Sequence, residues 1–217
     1  MDQEATFSEL TVMGEGGIQS AHAVTRDVRA IDPSHLGFID PAHTPEGANI
    51  GTTLHLAVGT KKKGKDIYTS VYSTKTGKKV DLNPREFYKS VITFPEYFKN
   101  GKLKPDDDGL VKAIHRGDIE RVKPAKVKYA MRTTTDMFGV NTMGVPFLSH
   151  NNGTRVMTAA KMQSQAKPLK HREKPLVQSA VSEKDQRTVE DIVGRNNVPR
   201  SPVDGTVDKV GREEVVI

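Results

Sequence analysis

The stretch VRAIDPSHLGFIDPAHTPEGANIG, Val28 to Gly51, decides how the chain is read. Its last nine residues, His43 to Gly51, hold a proline, a carboxylate, two glycines and an amide, and very little to bury. A surface turn needs fewer special residues. Pro45 presets one backbone angle and Gly47 permits conformations closed to other residues, so the stretch is spent on backbone control and polar groups rather than on burial.

Outward from that loop, residues 1–53 carry Gly and Pro punctuation ("MGEGGI" among it) and little helical period, so loops with short extended pieces are expected. Residues 54–135 change texture. "LHLAV", "DIYTSVYS" and "KVKYAM" alternate as strands do, "TKTGKK" is a turn, and "NPREFYKSVI" opens a helix behind Asn83 with Pro84 at its first position. Residues 136–217 begin with an apolar lead-in and continue into "HNNGTRVMTAAKMQSQAKP", the best helix candidate, capped by Asn151 or Asn152 and limited by Pro168. Beyond Pro175, short β-like pieces alternate with turn signals. The expected class is α+β, mostly β with few helices.

With 217 residues, the chain has room for one large domain or two small ones. Hydrophobic content of 35%, aromatics at 6%, no Trp and a mean hydropathy of -0.55 are low for a self-contained globule, so faces buried against other chains are expected. The absence of Cys excludes disulfides and thiolate metal sites and fits a reducing compartment, with the cytoplasm as default. "MDQEATFSEL" lacks the basic start and apolar core of a signal peptide, and no apolar run approaches the roughly 18 residues of a membrane span.

A net charge of +6 suggests a polyanionic partner. Its distribution is more informative: Met137 to Arg172 contains no Asp or Glu, but does contain Arg155, Lys161, Lys167, Lys170 and Arg172. The expected helix from Thr154 to Ala166 starts with Arg155 in its first turn, where the macrodipole disfavours a cation. Free amides at that helix end, together with Arg155, would make a phosphate site. At 100° per residue Lys161 and Gln165 share a neighbouring face. From these residues alone an ordinary surface helix with basic residues is the favoured reading.

Other constellations are less specific. Asp106, Asp107 and Asp108 in "PDDDG" offer three carboxylates that could hold Mg²⁺, although the turn proline and glycine favour a solvated loop. His35 and His43 do not have a recognised zinc-ligand spacing. "KKKGK" at 61–65 is most simply a charged hairpin tip, with nucleic-acid contact the lesser reading. "MGEGG" lacks the strand and helix context of a dinucleotide or triphosphate loop.

Taken in order, "SEL", "GEGGI", the opening stretch, "VKYAMRTTTDMFGVNTMGVPFLSHNNGTRVMTAAKMQSQAKPL" and "EKPLVQSAV" resemble the second-largest, or β, subunit of multisubunit DNA-dependent RNA polymerases. The resemblance runs from about Ser8 to Val210 and is loose over 54–125. It implies a fork region at 1–53, a β-rich external insert at 54–135, and at 136–217 the start of the barrel-bearing segment with its substrate helix. It further implies that Arg155 contacts the triphosphate of the incoming nucleotide, and that Gln165, Lys161, Glu46 and Asn49 line the nucleic-acid path. The catalytic Mg²⁺ would be held by a β′-like subunit, so no catalytic residue is expected in this chain and it would be inactive alone. The implied partners are the remainder of the β subunit, β′-like subunits, DNA template, RNA transcript and NTPs, in a multisubunit transcription complex with no membrane.

Departures from the family pattern point to a divergent, phage-type enzyme in the host cytoplasm. The stretch between "SEL" and "GEGG" is short and lacks a basic run, Phe38 replaces an arginine, and Asp40 and His43 stand in a segment that is usually of Cys-Pro-Ile-Glu type. Lys161 replaces an asparagine, and Asn151 and Asn152 replace paired acids. The chain is read as a fragment, or as one piece of a split subunit. The alternative is a stand-alone module that binds nucleic acid or another polymerase without catalysis; a hydrolase using Asp106 to Asp108 is a distant third.

Overall fold

The computed structural model describes residues 2–167, 169–171, 173, 176–178, 180, 187–188, 191, 201, 203–211 and 214–216. Arg172 and much of the segment expected to alternate β pieces with turns lie outside the described residues. Helix α1 (Asp2–Ser8) leads into β1 (Glu9–Thr11), which pairs antiparallel with β2 (Thr53–His55), Leu10 opposite Leu54. Between these strands the chain advances through 3-10 turns at Ala21–Ala23, Asp27–Arg29, Pro33–His35 and Gly47–Asn49. The local chemistry explains them: at Pro33–His35 the Asp32 carboxylate accepts from the Ser34 amide, and Pro33 opens the turn.

A mixed sheet then forms from β3 (Thr60–Lys63), β4 (Asp66–Ser73), β5 (Lys79–Leu82), β6 (Ile92–Thr93), β9 (Val111–His115), β10 (Asp118–Val122) and β11 (Tyr129–Met131). A small hairpin, β7 (Phe98–Lys99) and β8 (Lys102–Leu103), interrupts the chain order. The strand order is β10-β9-β6-β11-β4-β3, with β5 also on β4; only the β6–β11 pair is parallel. "KKKGK" is the β3–β4 hairpin tip and "TKTGKK" the β4–β5 turn, as their composition indicates.

Helix α2 (Pro84–Lys89) starts with a full capping box: Asn83 Oδ1 accepts from the Glu86 amide at 2.8 Å, and Glu86 Oε2 accepts from the Asn83 amide at 3.2 Å. The box aims Phe87 into a core with Val71, Leu82, Ile92, Ile114 and Met131. Phe38, from the loop-rich N-terminal segment, joins that core and meets Phe87 edge-on, with ring centroids 5.2 Å apart. Burial of an aromatic ring accounts for Phe38 where the family pattern has an arginine. The same contact fixes the N-terminal loops to the sheet.

Beyond the sheet come α3 (Val140–Met143) and α4 (Gly153–Ser164), which pack on each other, and near the C-terminus a short hairpin of β12 (Lys209–Val210) and β13 (Val215–Val216). α4 buries Val156, Ala160 and Ser164, a four-residue spacing that keeps one stripe inward. Among the described residues, no helix is long and apolar enough to cross a membrane.

Candidate functional site

The loop His43–Gly51 is closed by its own side chains. Thr44 Oγ1 donates to the Thr53 carbonyl at 2.8 Å and accepts from the Gly51 amide at 2.9 Å. Arg29, upstream in the same motif, donates from Nη1 to the carbonyls of Ala48 and Ile50 at 2.7 and 2.8 Å. Gly51 has φ +71°, and a Cβ there would lie 2.5 Å from the Arg29 carbonyl oxygen, so this position requires glycine. Ring closure and the Arg29 staple leave Glu46 and Asn49 exposed at the tip.

Two buried groups anchor the base of the loop. The carboxylate of Asp40 is fully buried; Oδ1 accepts from the Ala42 amide at 2.8 Å and the His43 amide at 3.3 Å, and Oδ2 from the Gly139 amide at 2.8 Å and from the Thr142 hydroxyl. A Cβ on Gly139 would approach Oδ2 to 2.7 Å, so glycine there admits the carboxylate. His43 stacks on His55 with ring centroids 3.6 Å apart, and His55 Nδ1 lies 3.1 Å from the His43 carbonyl oxygen. Burial, followed by the charges of His55 and Lys161, pushes the His43 imidazole down to about 4, so it is neutral near pH 7.

Lys161 belongs to α4, so its effect on His43 already reports that the loop and the helix are neighbours. The direct link is a hydrogen bond from the Thr158 hydroxyl to Glu46 Oε1 at 2.8 Å, across 112 residues of sequence. Arg155 stands one turn before Thr158, exposed, at the start of α4, where Asn152 Oδ1 caps its amide at 2.9 Å. Helix geometry puts Arg155, Thr158, Lys161 and Gln165 within one broad stripe. Lys161 is exposed on the helix, whereas Gln165 is the exposed C-cap residue just past its end.

The fold therefore brings Glu46, Lys161 and Arg155 to one region, with Asn49 on the same loop as Glu46 and Gln165 at the far end of the helix. It also changes the electrostatics read from the sequence. The stretch from Met137 to Arg172 lacks carboxylates along the chain, but Glu46 supplies one in space. Thr158 and His55 escaped the sequence reading: a threonine inside a helix and a histidine in a strand give no local signal for a contact made at long range.

Asp106, Asp108 and His43 have structural partners. Asp106 accepts from Arg121 Nη2 at 2.7 Å and from the Tyr97 hydroxyl at 3.0 Å, and Asp108 pairs with the same Arg121 at 2.9 Å. His43 is spent on His55. Among the described residues, no group of three or more His, Asp or Glu could hold a metal ion. Behind the loop and α4 lies an apolar groove of about 1060 Å³, lined among others by Ile39, Leu54, Phe138, Met143, Phe147 and Val156.

Comparison with known proteins agrees with the motifs. The family model described as RNA polymerase Rpb2, domain 3, matches residues 1–61. The DNA-directed RNA polymerase subunit beta of one strain of Prochlorococcus marinus is 33% identical over 232 residues, covering 100% of this chain and 20% of that protein. The subunit beta of another strain, and that of a Synechococcus, are each 30% identical over 231 residues with the same coverage. The chain thus spans about one fifth of the length of these relatives. All three are bacterial, which lends no support to a phage-type source.

Proposed function

The chain is homologous to a segment of the DNA-directed RNA polymerase subunit beta, and from that premise we propose that it serves template-directed nucleotidyl transfer by holding the incoming NTP and lining the nucleic-acid path. Arg155 supplies a charge-assisted contact to the triphosphate. Phosphoryl-transfer chemistry of this kind depends mostly on positioning and charge neutralisation, which a preset arginine can provide. Lys161 adds phosphate attraction without base specificity. Glu46, Asn49 and Gln165 line the RNA side.

The observation that carries this reading is the Thr158–Glu46 hydrogen bond, because it ties the loop that identifies the family to the helix that bears Arg155. A loop and helix locked together hold the arginine in one register against a bound triphosphate. The Mg²⁺ belongs to a β′-like subunit, and this chain contributes binding and orientation, not metal ligands. Its partners are then the rest of the β subunit, β′-like chains, DNA, RNA and NTPs, in the cytoplasm.

Replacing Arg155 by alanine in the assembled polymerase tests the role. Loss of a charged hydrogen bond worth about 1 to 3 kcal/mol predicts a fall of roughly 5- to 150-fold in kcat/KM for NTPs. An unchanged kcat/KM would remove Arg155 from the triphosphate.

A further inference from the structure

The positive charge of the chain is concentrated away from α4. Residues 61–82 hold seven lysines against Asp66 and Asp81, and residues 123–132 hold Lys123, Lys126, Lys128 and Arg132 with no carboxylate. These two stretches carry a surplus of nine positive charges in a chain of net +6, so the remainder is net negative.

Strand register places Lys61, Lys63 and Lys79 on the outer face of one sheet, with Asp66 and Asp81 among them. Lys61 lies opposite Tyr68 and Lys63 opposite Asp66, while Asp81 lies opposite Ser70 and Lys79 opposite Tyr72. Alternate residues of a strand share a face, and Val71, Leu82 and Met131 take the inner one. On the outer face Lys61 Nζ donates to Ser70 Oγ at 2.9 Å and to Asp81 at 3.3 Å, and Lys63 Nζ reaches Asp81 at 2.7 Å. One carboxylate thus serves two lysines. Arg132 pairs with Asp136 at 3.1 Å. Among the described residues no carboxylate is within ion-pair distance of Lys79, and the charges of Arg132 and Lys61 hold its ammonium below the usual lysine range. The hairpin tips at either end of β4 add the exposed Lys65, Lys75 and Lys78.

We propose that the outer face of β3, β4 and β5, with Lys61, Lys63, Lys79 and the hairpin-tip lysines, is a docking surface for the phosphate backbone of duplex DNA. Lys65, Lys75 and Lys78 at the hairpin tips give that face its surplus of cations, which is complementary to a dense line of phosphates. The aromatics favour a duplex over a single strand, because single-strand binders stack bases on free rings. Here Lys63 lies over the Tyr68 ring at 5.2 Å, and Tyr72 packs against Phe98 with centroids 6.2 Å apart, so each ring already has a protein contact. Contact is to the backbone and carries no sequence preference. The face belongs to β3, β4 and β5, whereas Arg155 belongs to α4.

Fluorescence anisotropy of the full 217-residue chain with a labelled 30-base-pair duplex, read across a NaCl series, tests this. The triple variant Lys61→Gln, Lys63→Gln, Lys79→Gln is expected to bind at least tenfold more weakly, and to lower the log–log salt slope by about two to three, roughly 0.9 for each phosphate no longer neutralised. Lys79→Gln alone, which breaks no ion pair, should lower the slope by about one and keeps the test readable if the triple variant misfolds. Equal affinity and slope in both lysine variants would overturn the proposal, as would at least tenfold tighter binding of the parent to single-stranded RNA or polyglutamate than to the duplex.

Discussion

Asp40 is a fully buried carboxylate whose oxygens are occupied by three backbone amides and a hydroxyl, drawn from its own loop and from the segment around α3. Asp40→Ala would strand those donors without solvent, a loss of about 3 kcal/mol, and urea unfolding should report it as a lower midpoint with an unchanged slope. His43 makes the pH dependence of the same region. Its folded-state value of about 4 lies below the ordinary histidine value of 6.5, so between those limits the unfolded chain binds more protons. Stability is therefore fully present above about pH 6.5 and falls as pH drops toward 4, by up to about 3 kcal/mol. A His43→Asn variant should show a flatter urea midpoint across that window; an identical pH profile would remove His43 from the effect. The sequence made Asp40 visible only as a departure from a pattern, and His43 as that and as half of a histidine pair without zinc-ligand spacing. What they do depends on Gly139 and His55, which are distant in sequence, and no local spacing encodes such contacts.

At the scale of elements, what was legible is what local chemistry determines. Asn83 and Pro84 announce α2, the Asn152 cap and the run to Ser164 announce α4, and the lysine-rich tips announce β-turns. The 3-10 turns of residues 12–52 read only as loops, because turns that short are fixed by side-chain caps and by packing onto the sheet. The parallel pairing of β6 with β11 was not legible either, since it is set by the chain's return across the core rather than by either strand's composition. The element-scale claim with functional weight is that Glu46 and Thr158 couple the loop to α4. In the assembled polymerase, Glu46→Gln keeps an acceptor and should be nearly silent, whereas Thr158→Val should raise the KM for NTPs several-fold with kcat little changed. Unchanged kinetics in Thr158→Val would mean that the hydrogen bond does not hold the helix in register.

For the whole molecule, low hydrophobicity and exposed apolar side chains such as Phe7, Ile31 and Phe147 fit a chain whose surfaces meet other chains. The short stretch between "SEL" and "GEGG" predicts weak inhibition by rifamycins, whose pocket in the family lies along that part of the fork; full inhibition at low concentration would show the pocket intact. The family was legible because its motifs run collinearly through this chain, and the α+β class because strands and caps are local. How the loop and the helix come together was not, since it rests on pairings about a hundred residues apart in the chain. The central claim is that Arg155 meets the triphosphate, and cross-linking reports it most directly. An NTP bearing a photoreactive group on its γ-phosphate, irradiated in the assembled polymerase and mapped by mass spectrometry, should label the peptide containing Asn152 to Lys161, and Arg155→Ala should reduce that label severalfold. Labelling confined to other peptides, or undiminished in the variant, would contradict the account.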